Sequence, residues 1–267
     1  MRIFVCVKEI QNPEIATSVF RVNEATKEVI PVPGLPLVTS PFDEQAIEAA
    51  LRIRDKLGEA KITVVSFGQA SAQAAIKRGL SMGADDGILV SNAGIESTDA
   101  YGTSFVLAEA IKKAGDFSLI LTGRQAADWD AGIVGCGIGE LLGIPVVTFA
   151  KDVRIDDGHV LVERVLDDGF ETVKASIPCV VTVSNELGEP RKASLRETMR
   201  AAKKPIEVWT TDTLGITRAK FGDSGSRQIR ERLFIPVKDS QCEVFAGGTA
   251  QEIAKQLADR LSGMKLF

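Results

Sequence analysis

The stretch that decides the fold is Leu119 to Gly139, LILTGRQAADWDAGIVGCGIG. It grows out of an apolar run, Phe117 to Leu121, short enough for a buried parallel strand. A polar turn follows, with Gly123, Arg124, Gln125, Asp128 and Asp130, and then Gly132, Gly135, Gly137 and Gly139 lead into the helical ELLGIP. A strand, a polar loop and a glycine-studded helix start are the physical requirements of a nucleotide phosphate site. The helix N-terminus offers unpaired N–H groups and the positive end of its dipole, and glycine lets a ligand approach the backbone. The spacing is neither G-x-G-x-x-G nor a P-loop, and no Lys-Ser/Thr pair is present for a phosphate and its magnesium. Two aspartates repel a phosphate, so ribose hydroxyls or a helix cap are their expected partners. The alternative is a helix that packs tightly on its sheet through small residues.

Working outward, the flanking segments repeat the strand and helix alternation. Arg2 to Lys8 reads as a first strand and residues 17–32 as a hairpin about NEAT. Ser40-Pro41 opens a helix, with serine as N-cap, proline in the first turn, and Glu44 and Glu48 in its N-terminal half. KITVVSFG, ADDGILVS and FSLILTG are strands; ASAQAAIKRGLSMG and Asp99 to Ala114 are helices between them. Such alternation implies parallel pairing with right-handed crossovers, a doubly wound, mostly parallel α/β sheet with helices on both faces. From about Pro145 four strand-like runs separated by IDDG and LDDG predict an antiparallel element at the sheet edge. SLRETMRAAKK is a short helix with a capping box, Ser194 and Glu197, stopped by Pro205. Leu195 and Met199 share one face of it, among Arg196, Arg200, Lys203 and Lys204. An apolar pair ringed by charge suits a transient docking surface; the same pair also suits packing onto the body. After residue 210 a long polar stretch precedes a helix from about Thr249 to Leu261. This C-terminal arm either embraces another chain or folds back on its own domain.

The 267 residues carry 45% hydrophobic and 25% charged residues and a net charge of −4, an ordinary globular composition that argues against nucleic acid or an anionic membrane as main partner. No apolar run is long enough for a membrane span, and MRIFVCVKEI reads as a strand instead of a signal peptide. The four cysteines lie far apart with no C-x-x-C, and His159 is the single histidine, so neither a zinc site nor a Ser-His or Cys-His pair is expected. Reduced thiols in a cytoplasmic protein fit this usage best.

At Val162 to Ser184, VERVLDDGFETVKASIPCVVTVS, the sequence resembles the β subunit of electron transfer flavoprotein, the EtfB/FixA family. The matching positions are Val162, Arg164, Asp167, Asp168, Gly169, Glu171, Pro178, Val180 and Val181. VCVK, SPFDEQAIEAA, MGAD, GRQA-x-D-x-D and EPR-x-A-x-L…M-x-A-x-K agree with the family in order and spacing, so the likeness spans residues 1 to about 210. It implies a domain of the adenine-nucleotide-hydrolase-like kind, a heterodimer with an α subunit, and an FAD held at their interface. It also implies a second nucleotide in this chain, AMP in one branch and a second FAD in the electron-bifurcating branch. Carried over by position, the nucleotide contacts fall on Cys6, Ser40, Pro41, Phe42, Asp43 and Phe67, and on Gly123, Arg124, Gln125, Ala126, Asp128, Asp130, Ala131, Gly132, Ile133 and Val134. Asp99 and Thr103, within DAYGTS, and Val134 look like the bifurcating branch, whereas AMP-binding members carry polar side chains at 131–134. The resemblance further implies no catalytic residue of the chain's own. It makes Leu195, with Met199 and Arg200, the anchor for a dehydrogenase of the acyl-CoA type. Residues 1–210 then form the nucleotide-binding domain, with the recognition segment at 190–204, and residues 211–267 an arm on the α subunit. Two other classes share the fold, an enzyme of the ATP pyrophosphatase kind and a nucleotide-sensing protein of the universal-stress kind.

Overall fold

A computed structural model describes residues 1–93, 95, 98–217, 220–221, 225–236 and 242–265. One nine-stranded sheet runs through it. In chain order its strands are β1 (Arg2–Cys6), β6 (Lys61–Gly68), β7 (Asp86–Ser91), β8 (Leu119–Gly123), β9 (Val146–Asp156), β10 (His159–Leu166), β11 (Gly169–Ser176), β12 (Cys179–Val183) and β13 (Ile206–Trp209). Two small pairs lie outside it: β2 (Glu9–Ile10) with β5 (Val38–Thr39), and the hairpin β3 (Arg21–Asn23) with β4 (Glu28–Ile30). The order across the sheet is β11-β10-β9-β12-β8-β1-β6-β7-β13. From β12 to β13 neighbouring strands are parallel, and β9, β10 and β11 pair antiparallel at one edge.

The period of a strand decides which core each residue joins. Ile3 and Val5 face one side, where they meet Ala46, Ile47 and Ala50 of α1 (Pro41–Leu57) and Ala75 and Ile76 of α2 (Gln73–Met82). Phe4 and Cys6 face the other, against Val106, Leu107 and Ile111 of α3 (Ala100–Ala114) and Ile138 of α4 (Val134–Leu142). Strands buried on both faces read as continuous apolar runs, which is why β1 and β8 carry no polar alternation.

The doubly wound arrangement appears as the sequence predicts, but of the four runs after Pro145 only β9, β10 and β11 pair antiparallel, whereas β12 inserts between β9 and β8 and is parallel to both. β13 was not foreseen: IEVW follows Pro205 and has only four residues, two of them exposed. It exists because the edge of β7 offers it a parallel ladder, Ile206 to Trp209 against Gly87 to Val90. Within α4 the packing alternative for the glycines holds as well. A Cβ on Gly135 meets Thr122 Oγ1 at 2.6 Å, one on Gly137 meets Ser104 Oγ at 2.5 Å, and one on Gly139 strikes Val146. These glycines let α4 lie against both α3 and the sheet.

A buried carboxylate fixes the segment ahead of α5 (Leu195–Lys203). Glu48 of α1, 4% exposed, accepts from Arg52 Nε at 2.9 Å, Arg191 Nε at 2.7 Å and the Arg191 N–H at 3.1 Å. Arg191 also reaches Asp55 at 2.8 Å. Burial pushes the Glu48 carboxyl up, but the bonds from Arg191 and Arg52 outweigh it and hold it below its ordinary value. A carboxyl lowered in the folded state contributes stability that is present above the ordinary glutamate range and lost on acidification. Glu48→Gln is therefore expected to lose about 1.5–3 kcal/mol at neutral pH, the worth of a hydrogen bond to a charged group. Urea unfolding at successive pH values checks this, since the gap to wild type should close as the pH drops through the glutamate range.

Candidate functional site

In an open α/β sheet a ligand crevice forms where the strand order reverses, at the carboxyl ends of the strands. Here the chain proceeds from β1 outward to β6 and β7, then returns to place β8 on the other side of β1. The switch point is the gap between the ends of β1 and β8. Cys6, Phe67 and Gly123 close or nearly close three of these strands on one edge, and the starts of α1, α3 and α4 arrive at the same edge. The sequence-derived candidates, scattered from residue 6 to residue 134, therefore lie on elements that end or begin at this one edge.

Asp43 closes the gap. Its Oδ2 accepts the Lys8 N–H at 2.8 Å and its Oδ1 the Gly123 N–H at 3.1 Å, so one side chain ties the ends of β1 and β8. Asp43 is 6% exposed. Burial pushes its carboxyl up to about 7, against the pull of those two N–H donors and of Lys8. Burial, with the nearby Asp43 charge, likewise pushes the Cys6 thiol up to about 12, so it sits in the second core as a neutral thiol. Ser40 departs from the expected cap. It occupies the N-cap of α1 without a side-chain cap bond, and its hydroxyl turns instead to the Ala127 N–H at 3.4 Å. A helix cap and a second loop compete for one hydroxyl, and here the loop has it.

The loop after β8 consumes its own acids. Asp128 pairs with Lys8 Nζ at 2.6 Å, and Asp130 accepts from Gln125 Nε2 at 2.7 Å. Neither caps α4, whose N-cap is Ile133 with no side-chain bond. Among the described residues, the N–H groups of Val134, Gly135 and Cys136 donate to no backbone carbonyl either. Gly132 has φ +64, and a Cβ there meets only the Arg124 carbonyl, at 3.6 Å. Arg124 lies 4.9 Å from the Phe42 ring and 6.0 Å from the Phe149 ring, and donates to Ser184 Oγ at 3.3 Å. Its Nε is buried without a partner. An uncapped helix start, a glycine turn and an arginine with an unused donor suit an adenine nucleotide's phosphate, with contacts drawn mainly from backbone N–H groups.

Around this centre lie residues that the sequence did not single out. Lys8 neutralises Asp128, and Ser184 holds Arg124 while its hydroxyl donates to Glu186. Phe149 sits at φ +58, where β9 shifts register against its neighbours, and Thr182 Oγ1 accepts its N–H at 3.1 Å. A bulky residue in that conformation is unusual and leaves the ring 40% exposed beside Arg124. No linear signal marks such a bulge. Phe67 packs partly buried in the second core. Asp99 and Thr103 lie at the start of α3, where Asp99 Oδ1 caps the Gly102 N–H at 2.8 Å and Thr103 Oγ1 bonds the Asp99 carbonyl at 2.9 Å.

The second candidate surface is α5. Its capping box forms as expected, Ser194 N–H to Glu197 at 2.9 Å and Glu197 N–H to Ser194 Oγ at 3.2 Å. Ala201 is its buried contact with the body, whereas Leu195 is 77% and Met199 60% exposed, with Arg200 exposed beside them. Among the described residues, the apolar pair is left largely uncovered.

Comparison with known proteins gives a coherent picture. A family model described as the electron transfer flavoprotein domain matches residues 34–214. The chain is 34% identical over 261 residues to the caffeyl-CoA reductase-Etf complex subunit CarD of Acetobacterium woodii, covering 98% of both chains. It is 34% identical over 275 residues to the electron transfer flavoprotein subunit beta of Megasphaera elsdenii, covering the whole of both. It is 30% identical over 269 residues to the FixA protein of Bradyrhizobium diazoefficiens, covering 98% of this chain and 91% of that one.

The Asp43 bridge sets a pH dependence of its own. A carboxyl raised to about 7 favours the fold in full below the unfolded value of 3.8, and that contribution is lost as the pH rises through about 7. Asp43→Asn turns an N–H group toward one of the two backbone donors and should cost about 1–3 kcal/mol. Melting temperatures of both forms between pH 4 and 8 should show the gap narrowing across that window and constant above it.

Proposed function

The chain belongs to the electron transfer flavoprotein β-subunit and FixA family, and from that premise we propose that it holds an adenine nucleotide in the crevice between β1 and β8. As a member of that family it is an electron-carrier subunit that serves a dehydrogenase and is not itself an enzyme. Flavin supplies the one- and two-electron chemistry, and the protein binds it and sets its surroundings. In this reading the chain pairs with an α subunit, shares an FAD with it, and carries the second nucleotide alone. Strand order and the crevice support a fold of the adenine-nucleotide-hydrolase-like kind. Residues 1–210 serve as the nucleotide domain and 211–267 as the arm toward the α subunit. That arm's terminal helix, α6 (Ala250–Gly263), buries none of its residues on this chain, which supports the embrace over the folded-back tail. Unpaired cysteines support a cytoplasmic setting.

The observation that carries the proposal is the uncapped first turn of α4 facing the switch point together with the partnerless Arg124 Nε. Val134, and DAYGTS at the start of α3, favour a second FAD over AMP and with it the bifurcating branch, whereas Ala131, Gly132 and Ile133 match neither branch. Nucleotide released from the denatured αβ complex should amount to about two flavins per heterodimer, in keeping with an FAD held by each site. One flavin and one AMP overturns the second FAD. Gly132→Asp tests the site itself. The position has room and a left-handed φ that aspartate tolerates, so the fold survives while a charge enters the crevice. At an effective dielectric of 20, like charges ~4 Å apart repel by about 4 kcal/mol, on the order of a thousandfold in affinity. Retention as tight as wild type removes the loop from the site.

The exposed Leu195 and Met199, ringed by Arg196, Arg200 and Lys203, are proposed as the anchor for the dehydrogenase, a flavoenzyme of the acyl-CoA dehydrogenase type. The name of the Acetobacterium woodii relative, a subunit of a complex with a CoA-thioester reductase, supports that partner class. Leu195→Ala should leave melting temperature and flavin content unchanged, since a buried leucine would instead lose about 2–5 kcal/mol. Stopped-flow reduction by the dehydrogenase should slow. Normal transfer with reduced stability would refute the anchor.

A further inference from the structure

The arm does more at the crevice than leave it. Residues 225–232, GSRQIRER, span from the start of α3 to the loop after β8. Asp99 Oδ2 accepts two consecutive backbone N–H groups of this stretch, Arg227 at 2.6 Å and Gln228 at 3.0 Å. The Arg227 guanidinium lies 3.6 Å from the centre of the Tyr101 ring. Three residues on, Arg230 lies 4.2 Å from the centre of the Trp129 ring and donates to the Lys27 carbonyl at 2.6 Å. One end of the crossing is thus fixed to the start of α3 and the other to the middle of the loop after β8, between Asp128 and Asp130. These are the two elements that bracket the uncapped turn of α4: Ser104 of α3 donates to the Val134 carbonyl at 3.3 Å, and the loop runs directly into that turn.

We propose that residues 225–230 are the cover of the nucleotide crevice, and that Asp99 and Arg230 are positioning residues holding it closed instead of touching the nucleotide. The inference rests on the reading of the loop after β8 as the nucleotide site. Asp99 has little left to offer a ligand: one oxygen caps Gly102 and the other receives two backbone donors. The stretch carries Arg227, Arg230 and Arg232 against Glu231, a cationic cover for an anionic guest. Its fastenings are exposed cation–π contacts and three hydrogen bonds, individually weak, so that it opens without disturbing the core. A cover of this kind acts on release, because it must lift before the guest departs.

Asp99→Asn separates the two duties of the residue: its remaining oxygen still caps α3, but its amide N–H groups face the N–H groups of Arg227 and Gln228. Arg230→Ala, an exposed change with no burden on folding, unfastens the other end. Both are made in the αβ complex and loaded with labelled AMP, the moiety common to both nucleotides. Each variant should release AMP about tenfold faster or more than wild type. Hydrogen exchange at the Arg227 and Gln228 amides should quicken in Asp99→Asn while melting temperature holds. Faster exchange with unchanged AMP release overturns the cover. Unchanged exchange overturns Asp99 as its latch. If Gly132→Asp also keeps its AMP, the loop is not the site and the cover falls with it, an outcome distinct from the other two.

Discussion

The rest of the structure depends on a carboxylate placed where two parallel strands part company. At the gap between β1 and β8 the sheet changes direction of growth, and their last N–H groups lose their ladder partners. Asp43 supplies both acceptors, from the first turn of a helix that begins at Pro41. That bond pair brings the start of α1 onto the crevice, and with it Ser40 and Phe42, which in turn meet Ala127 and Arg124 of the facing loop.

The charges around the crevice follow from the same economy. Every acid of the loop is engaged with a neighbour, Asp128 with Lys8 and Asp130 with Gln125. Unpaired acids would drive an anionic ligand away, whereas engaged ones stiffen the loop and leave the field to the donors. Those donors are the first N–H groups of α4 and Arg124 Nε. A second buried carboxylate, Glu48, plays a comparable role on the opposite side of α1. By gripping Arg191 it fixes where α5 starts, so that Leu195 and Met199 project outward on a rigid base.

Much of this was legible in the linear sequence, because it depends on local period and local chemistry. Continuous apolar runs gave the strands of the parallel sheet, the Ser194 and Glu197 pair gave the capping box, and the IDDG and LDDG turns gave the antiparallel edge. The candidates from Cys6 to Val134 were identified by resemblance, and their gathering at one edge follows from parallel strands with helices between them. Of the two readings of the glycines, close packing describes Gly135, Gly137 and Gly139 of α4, while Gly132 shapes the turn ahead of it.

The alternation of elements and the two-sided core are legible in the linear sequence, since each is encoded within a window of a few residues. Only the tertiary structure decided who satisfies whom. That Asp43 faces inward to Lys8 and Gly123, that Ser40 abandons its cap for Ala127, that Asp99 receives Arg227 and Gln228, and that Phe149 turns over in a bulge are all long-range choices. A polar side chain meets several possible partners of similar worth, and the winner is set by which backbone donors the packed sheet leaves unpaired. Sequence spacing carries no record of that competition, because its outcome exists only once the strands are in register.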